Sequence, residues 1–234
     1  MLVLVVDSST PAVTAALAEV TVDGVALRAY RCTVDARAHG ELLAPQVEAV
    51  LADVGARPGD LGAIVAGLGP GPFTGLRVGL VTAATMGQVL GIPTYGVCSL
   101  DGIGRPAEGD PAAGGAAGDE RVLVAADARR KEVYWAVYDG TGRRIAGPEV
   151  DAPAVVAARA RELAVTVAVG DGVHRYADVL GLPLRAEPRY PDAAALVTLA
   201  AARITADAPS EALTPLYLRR PDAVAATSRK SVLP

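Results

Sequence analysis

Aromatic residues make up only 4% of this 234-residue chain, with one tryptophan, one phenylalanine and seven tyrosines. A core without large rings must be filled by Val, Leu and Ala, and hydrophobic residues do reach 51%. There are two cysteines, Cys32 and Cys98. They form neither a CxxC pair nor a disulfide framework, which suits a reducing compartment, and both read as small buried hydrophobes. There are two histidines, His39 and His174, one in each half. A helical metal pair needs a second histidine four residues on, and that position is Leu43, so His39 reads as a surface or capping residue. Basic residues do not dominate: 22 Lys and Arg face 26 Asp and Glu, a net charge of −4. Any contact with nucleic acid is therefore expected to be local or shared with a partner. No apolar run approaches the roughly 18 residues of a membrane span. The N-terminal "MLVLVVD" has no basic region and reads as a first strand rather than a signal peptide. The expectation is a cytoplasmic protein with no membrane contact.

What is present is an alternation of apolar strands and helical patterns. Residues 2–6, 12–20 and 25–34 read as a strand meander. Residues 39–55 read as a helix, with Leu42, Leu43, Val47, Val50, Leu51 and Val54 near helical spacing and Gly55 as its stop. Pro45 lies in its first turn or kinks it. A strand at 63–68, a helix at 75–90 and a strand at 92–97 follow. The stretch 105–120 is Gly, Ala, Pro and acid without periodicity, and reads as a linker. Beyond it, strands at 121–126 and 132–138, a helix at 153–164, a strand at 165–169 and helices at 173–180 and 192–206 are expected. The tail 219–234 is polar and frayed in this reading.

Two internal echoes stand out. "LVVDSSTPAVTAAL" and "LVAADARRKEVYWAV" are each a buried strand, an Asp, a turn and a second strand, with Asp7 matching Asp127. "AIVAGLGPG" and "VTVAVGDGV" each run a strand into Gly-x-Gly, with Gly67 and Gly69 matching Gly170 and Gly172. Two copies of one α/β unit account for both.

The stretch "GLGPGPFTGLRVG" (67–79) has the setting of a phosphate cradle, a strand followed by a helix N-terminus. The templates fail, however. A dinucleotide loop needs glycine where Thr74 stands, a Walker loop needs a lysine, and Pro70 and Pro72 remove two N–H donors. Thr74 is a candidate N-cap. Arg77 then falls in the first turn, where a cation opposes the helix dipole, so it is expected to serve something outside the loop. Asp7, beside Ser8, Ser9 and Thr10, reads as an Asx turn or as a holder of a hydrated metal near a phosphate. The residues that would touch a nucleotide or anion are thus Asp7, Gly69, Gly71, Thr74 and Arg77. In the following helix Gly75, Gly79, Ala83 and Gly87 recur every fourth residue, flanked by Leu76, Leu80 and Leu90. Glycine costs about 1 kcal/mol against alanine in a helix, so such a stripe implies close packing, within the chain or against another subunit.

The order of "LVVDSST", "HGELLAP", "GLGPGPFTGLRVGL", "DARRKEVYWAVYD" and "PLYLRR" resembles the bacterial TsaB (YeaZ) family of tRNA threonylcarbamoyladenosine biosynthesis proteins. Pro72 stands where that family usually has serine. The resemblance implies an α/β fold of two tandem actin/Hsp70/sugar-kinase-like (ASKHA, ribonuclease H-like) subdomains. On this chain they are placed at 1–104 and 121–218, with 105–120 between them and 219–234 as the tail. It implies a non-catalytic subunit that activates the catalytic paralogue TsaD, together with the ATPase TsaE, to form N6-threonylcarbamoyladenosine (t6A) in tRNAs reading ANN codons. His39 aligns with the first ligand of the paralogue's His-x-x-x-His site and Leu43 with its second, as in a pseudo-enzyme. It also implies a partner interface on the two first-half helices, here Leu42, Leu43, Val47, Val50, Leu76, Gly79, Leu80, Ala83 and Gly87. That interface would receive TsaD or a second copy of the chain. No intrinsic cofactor or metal is expected, any ATP or ADP lies at the interface of the complex, and tRNA is met indirectly. The rival reading is a free-standing ATPase or kinase of the same fold, for which "GDGVHR" and "DARRKE" lack the needed phosphate and adenosine loops. A metallopeptidase fails on ligand count.

Overall fold

A computed structural model describes residues 1–105 and 120–219 of the chain. The linker expected at 105–120 and the tail at 219–234 therefore lie almost wholly outside the described residues. In the first half, β1 (Leu2–Asp7), β2 (Ala12–Thr21) and β3 (Gly24–Val34) form the expected meander. Helix α1 (His39–Asp53) leads to β4 (Ala63–Gly67), and α2 (Phe73–Leu90) leads to β5 (Thr94–Val97). The sheet order is β3-β2-β1-β4-β5, with β4 and β5 parallel to β1.

The second half opens with the short α3 (Asp101–Gly104) and repeats the plan. Strands β6 (Arg121–Asp127), β7 (Val133–Asp139) and β8 (Arg144–Asp151) form a meander, α4 (Pro153–Glu162) crosses over, and β9 (Val167–Val169) returns parallel to β6. Its order, β8-β7-β6-β9, matches the first four strands of the other sheet. The duplicated α/β unit of the actin/Hsp70/sugar-kinase fold is thus present. Strand β8 has no counterpart among the expected elements, because "RIAGPEVD" carries Gly and Pro in mid-strand and reads as loop.

Both faces of the first sheet are buried, which is why β1 is apolar from Leu2 to Val6 and β4 carries no polar side chain. Leu4, Val6 and Leu17 meet Leu43, Val50, Leu76 and Leu80 of α1 and α2. Val3, Val5 and Ala16 meet Leu196, Val197 and Ala200 of α7 (Ala193–Thr205). Asp192 caps α7 by accepting from the N–H of Ala195 at 2.8 Å. The expected unit 121–218 therefore returns one helix to the first sheet. Leu196 of α7 also packs against Gly102 of α3, while in the second half α4, α5 (Asp171–Arg175) and α6 (Ala177–Leu180) cover Leu123, Trp135 and Val137. The opposite face of that sheet packs Val124, Tyr134 and Tyr138 against Cys98, Leu100, Ile103 and Leu216, so the two halves share a core. Of the two cysteines expected inside, Cys98 is buried and Cys32 is exposed on edge strand β3.

The small-residue stripe of α2 has its partner within the chain. The Ser8 hydroxyl donates to the carbonyl of Gly75 at 2.7 Å and accepts from the N–H of Gly79 at 2.8 Å. It occupies both ends of one i→i−4 rung of α2. A Cβ on Gly79 would stand 2.6 Å from that oxygen. Gly79→Ala is expected to lower stability by about 1–3 kcal/mol through overpacking. This would occur although alanine is the better helix former by about 1 kcal/mol. Adding Ser8→Ala should recover most of the loss, because the rung then closes on itself. Urea unfolding of the two single variants and the double variant checks this; additive losses would contradict it.

Candidate functional site

The strand ends of both sheets meet at a cleft between the halves, where the Asp7 turn faces the Asp127 turn. The Asp7 turn is closed. Asp7 Oδ1 accepts from the N–H of Ser9 at 2.9 Å and from its hydroxyl at 2.8 Å, and Oδ2 accepts from the Ser99 hydroxyl at 2.5 Å. This is the Asx turn of the sequence reading, with a third partner from β5's end. Burial pushes the Asp7 carboxyl above its usual range, although those hydrogen bonds pull it back. Gly67 permits the closure, since a Cβ there would lie 1.7 Å from Asp7 Oδ2. Gly71 likewise packs on Ser9, with 2.0 Å between a would-be Cβ and the Ser9 carbonyl oxygen.

Several expected roles change accordingly. Asp7 and Gly69 are buried and bonded to Ser9 and Ser99, while Gly71, also buried, borders the cavity described below. Thr74 is the second residue of α2 and not its cap; Pro72 holds the N-cap position without a side-chain bond, because α2 starts at Phe73. His39 is a buried residue and not a surface one. Its Nε2 donates to the Thr10 carbonyl at 2.8 Å, and its ring lies against Gly75. Leu43, Val47, Val50, Leu76, Gly79, Leu80, Ala83 and Gly87 all face the chain's own core, and Leu42 is half-buried. They hold the two helices in place rather than presenting a surface. The outward face of α2 carries Val81, Ala84, Thr85, Gln88 and Val89, with Val81 61% and Val89 78% exposed.

Arg77 has its explanation in the fold. Its guanidinium lies 3.8 Å over the Phe73 ring, and its Nε donates to the Tyr217 hydroxyl at 2.8 Å. Phe73 and Tyr217 stack with ring centroids 5.3 Å apart. Three groups from two chain segments thus form one layer at the mouth of the cleft, which stacking and cation–π attraction favour.

The Asp127 turn is open by contrast. Arg129, Arg130 and Lys131 all have positive φ, at 61°, 52° and 61°. Left-handed backbone costs roughly 1–2 kcal/mol per non-glycine residue. The turn is held by the Ala128 and Glu132 backbone bonds at 3.0 Å and by Asp127 Oδ1 accepting from the Arg129 N–H. Arg219 donates to the Ala128 carbonyl at 2.8 Å and pairs with Glu132. Between this turn and the Phe73–Tyr217 layer is a cavity of about 650 Å³, with Tyr134 and Pro72 in its walls. A smaller cavity of about 180 Å³ adjoins it at His39, Thr74 and Asp127. Sequence reasoning did not identify Ser99, Phe73, Tyr134 or Tyr217 as parts of this region. The Arg77–Tyr217 pair spans 140 residues, and no local pattern announces it.

Beside Asp127, the Asp171 carboxylate accepts from the Asp127 N–H at 3.3 Å. Burial, with Asp127 nearby, raises its pKa from 3.8 to about 6.

The family model "TsaD: tRNA N6-adenosine threonylcarbamoyltransferase" matches residues 33–196. An uncharacterized protein of Mycobacterium tuberculosis is 48% identical, over 94% of this chain and 93% of its own length. The tRNA threonylcarbamoyladenosine biosynthesis protein TsaB of Escherichia coli is 34% identical over 79% of each chain. Among solved structures, YeaZ from Pseudomonas aeruginosa superposes with a TM-score of 0.73 at 28% identity, covering 93% of this chain and 99% of that one.

The Asp171 shift gives a stability prediction. Below about pH 4 the carboxyl is protonated in both the folded and unfolded states; above about pH 6 the folded protein carries a buried carboxylate. Its contribution to stability is therefore lost as pH rises through that window. Asp171→Asn should be near neutral at pH 4 and stabilise by roughly 1–3 kcal/mol at pH 8. Urea titrations at the two pH values read the difference.

Proposed function

The chain belongs to the TsaB (YeaZ) family, and from that premise we propose that it is a non-catalytic subunit of a t6A-forming assembly in the cytoplasm. In this reading it binds and activates a TsaD-type catalytic paralogue, works with a TsaE-type ATPase, and meets tRNA through that assembly. It self-associates through the same face when the paralogue is absent. It brings no cofactor of its own, and ATP or ADP binds where the subunits meet.

The observation that carries the reading is the closed Asp7 turn. Kinases and ATPases of this fold work through open strand-end turns that receive phosphate. Here Ser8, Ser9 and Ser99 fill that space with the chain's own hydrogen bonds, and Pro70 and Pro72 remove donors from the glycine loop. Among the described residues, no group of three or more His, Cys, Asp or Glu is placed to hold a metal ion. No helix among them is long and apolar enough to cross a membrane.

The docking face is reassigned to the outward side of α2. Val81 and Val89 are the exposed large hydrophobic side chains there, and burying each would contribute roughly 1.5–3 kcal/mol. Val81→Asp and Val89→Asp are expected to abolish co-elution with the cognate TsaD-type subunit while leaving thermal unfolding within a few degrees of the parent. Unchanged co-elution of both folded variants would overturn the assignment. Calorimetric titration with Mg·ATP addresses the enzymatic rival: micromolar binding with turnover by the isolated chain would favour it.

A further inference from the structure

The cavity between the Asp127 turn and the Phe73–Tyr217 layer is a feature of the cleft that the docking role does not use. Among the described residues its lining includes Arg77, Arg129, Arg130 and Arg219 and no carboxylate; Asp127 and Glu132, just outside it, pair with Arg129 and Arg219. Its mouth carries Phe73 and Tyr217, 53% and 43% exposed, stacked on each other with Arg77 bonded across them. Exposed rings held in fixed orientation beside a local cluster of guanidinium groups favour a ligand that is both flat and anionic. The volume, about 650 Å³, is in the range of small-ligand sites.

The geometry points to an unpaired RNA nucleotide as the occupant, its base laid on the Phe73–Tyr217 layer and its flanking phosphates on Arg129, Arg130 and Arg219. The lining offers stacking surface and charge but few groups that read a base edge, which is the pattern of sequence-tolerant single-strand binding. Two residues of the left-handed turn, Arg129 and Arg130, line the cavity that the aromatic layer also borders. A free nucleotide shares this chemistry, and the competition arm of the test below separates the two. The choice of RNA rests on the proposed role in tRNA modification.

The test is fluorescence anisotropy of a labelled single-stranded RNA of about twelve nucleotides, titrated with the full-length chain at several salt concentrations. Tyr217→Ala should weaken binding about ten-fold or more, and Tyr217→Phe, which keeps the ring, should not. Arg130→Ala should reduce the slope of log K against log salt by about 0.7, the value of one single-strand phosphate. Arg28→Ala on the far edge strand removes the same charge and should change neither quantity. Competition separates the sources: unlabelled tRNA should displace the probe, whereas ATP and polyglutamate should do so only at far higher concentration. Absence of RNA binding would overturn the inference. So would equal effects of Arg28→Ala and Arg130→Ala, or displacement by ATP or polyglutamate at RNA-like concentrations. Should Tyr217→Ala fail to fold, Tyr217→Phe and Arg130→Ala still decide. Because the binding is read on the chain alone, a negative result leaves the role in the t6A assembly standing.

Discussion

One hydroxyl organises this molecule. Ser8 Oγ sits inside a rung of α2, donating to Gly75 and accepting from Gly79. To reach it, the helix must lie directly on the turn that ends β1, and only residues without a Cβ allow that approach. Gly75 and Gly79 are fixed by this placement, with the His39 ring lying against Gly75, while further along the stripe Gly87 packs on Thr94. Beside it the Asp7 turn is closed by Ser9 and Ser99. The Ser9 N–H and the Ser9 and Ser99 hydroxyls, donors that could receive a phosphate in an open turn, are instead bonded to the Asp7 carboxylate.

The two halves repeat one topology but diverge at this point. In the first, the strand-end turn is folded inward and its carboxylate is buried. In the second, the corresponding turn points three basic residues outward in strained backbone, and its Asp127 pairs with Arg129 at 3.6 Å and Arg175 at 3.2 Å. The closed turn makes a rigid base for the helix that carries the exposed valines. The open turn leaves a charged, partly aromatic cavity. A docking subunit needs the first property, and a pocket for a flat anion needs the second.

Much of the architecture was legible in the sequence because it is written locally. Continuous apolar runs marked β1 and β4, the leucine and valine spacing marked α1, and the Asp7–Asp127 offset revealed the duplication. What the sequence left open was direction. Small residues every four positions in α2 require a close neighbour, but their spacing does not say whether it is Ser8 or another subunit, and the buried face was taken for the docking one. Likewise Arg77 signalled an uncompensated charge, while its partner Tyr217 is reached only through the fold. Strand β8 was hidden by its Gly and Pro, and the return of α7 to the first sheet was hidden by its distance along the chain.

The central claim is that this chain supports t6A formation without performing the chemistry. The direct measurement is reconstitution of tRNA modification from the cognate TsaD-type and TsaE-type proteins, with and without this chain, using radiolabelled threonine. The account predicts that modified tRNA accumulates only when the chain is present. It also predicts that an Asp7→Asn variant, which removes the ionisable carboxyl of the closed turn, still supports it. Equal modification in the absence of the chain would contradict it.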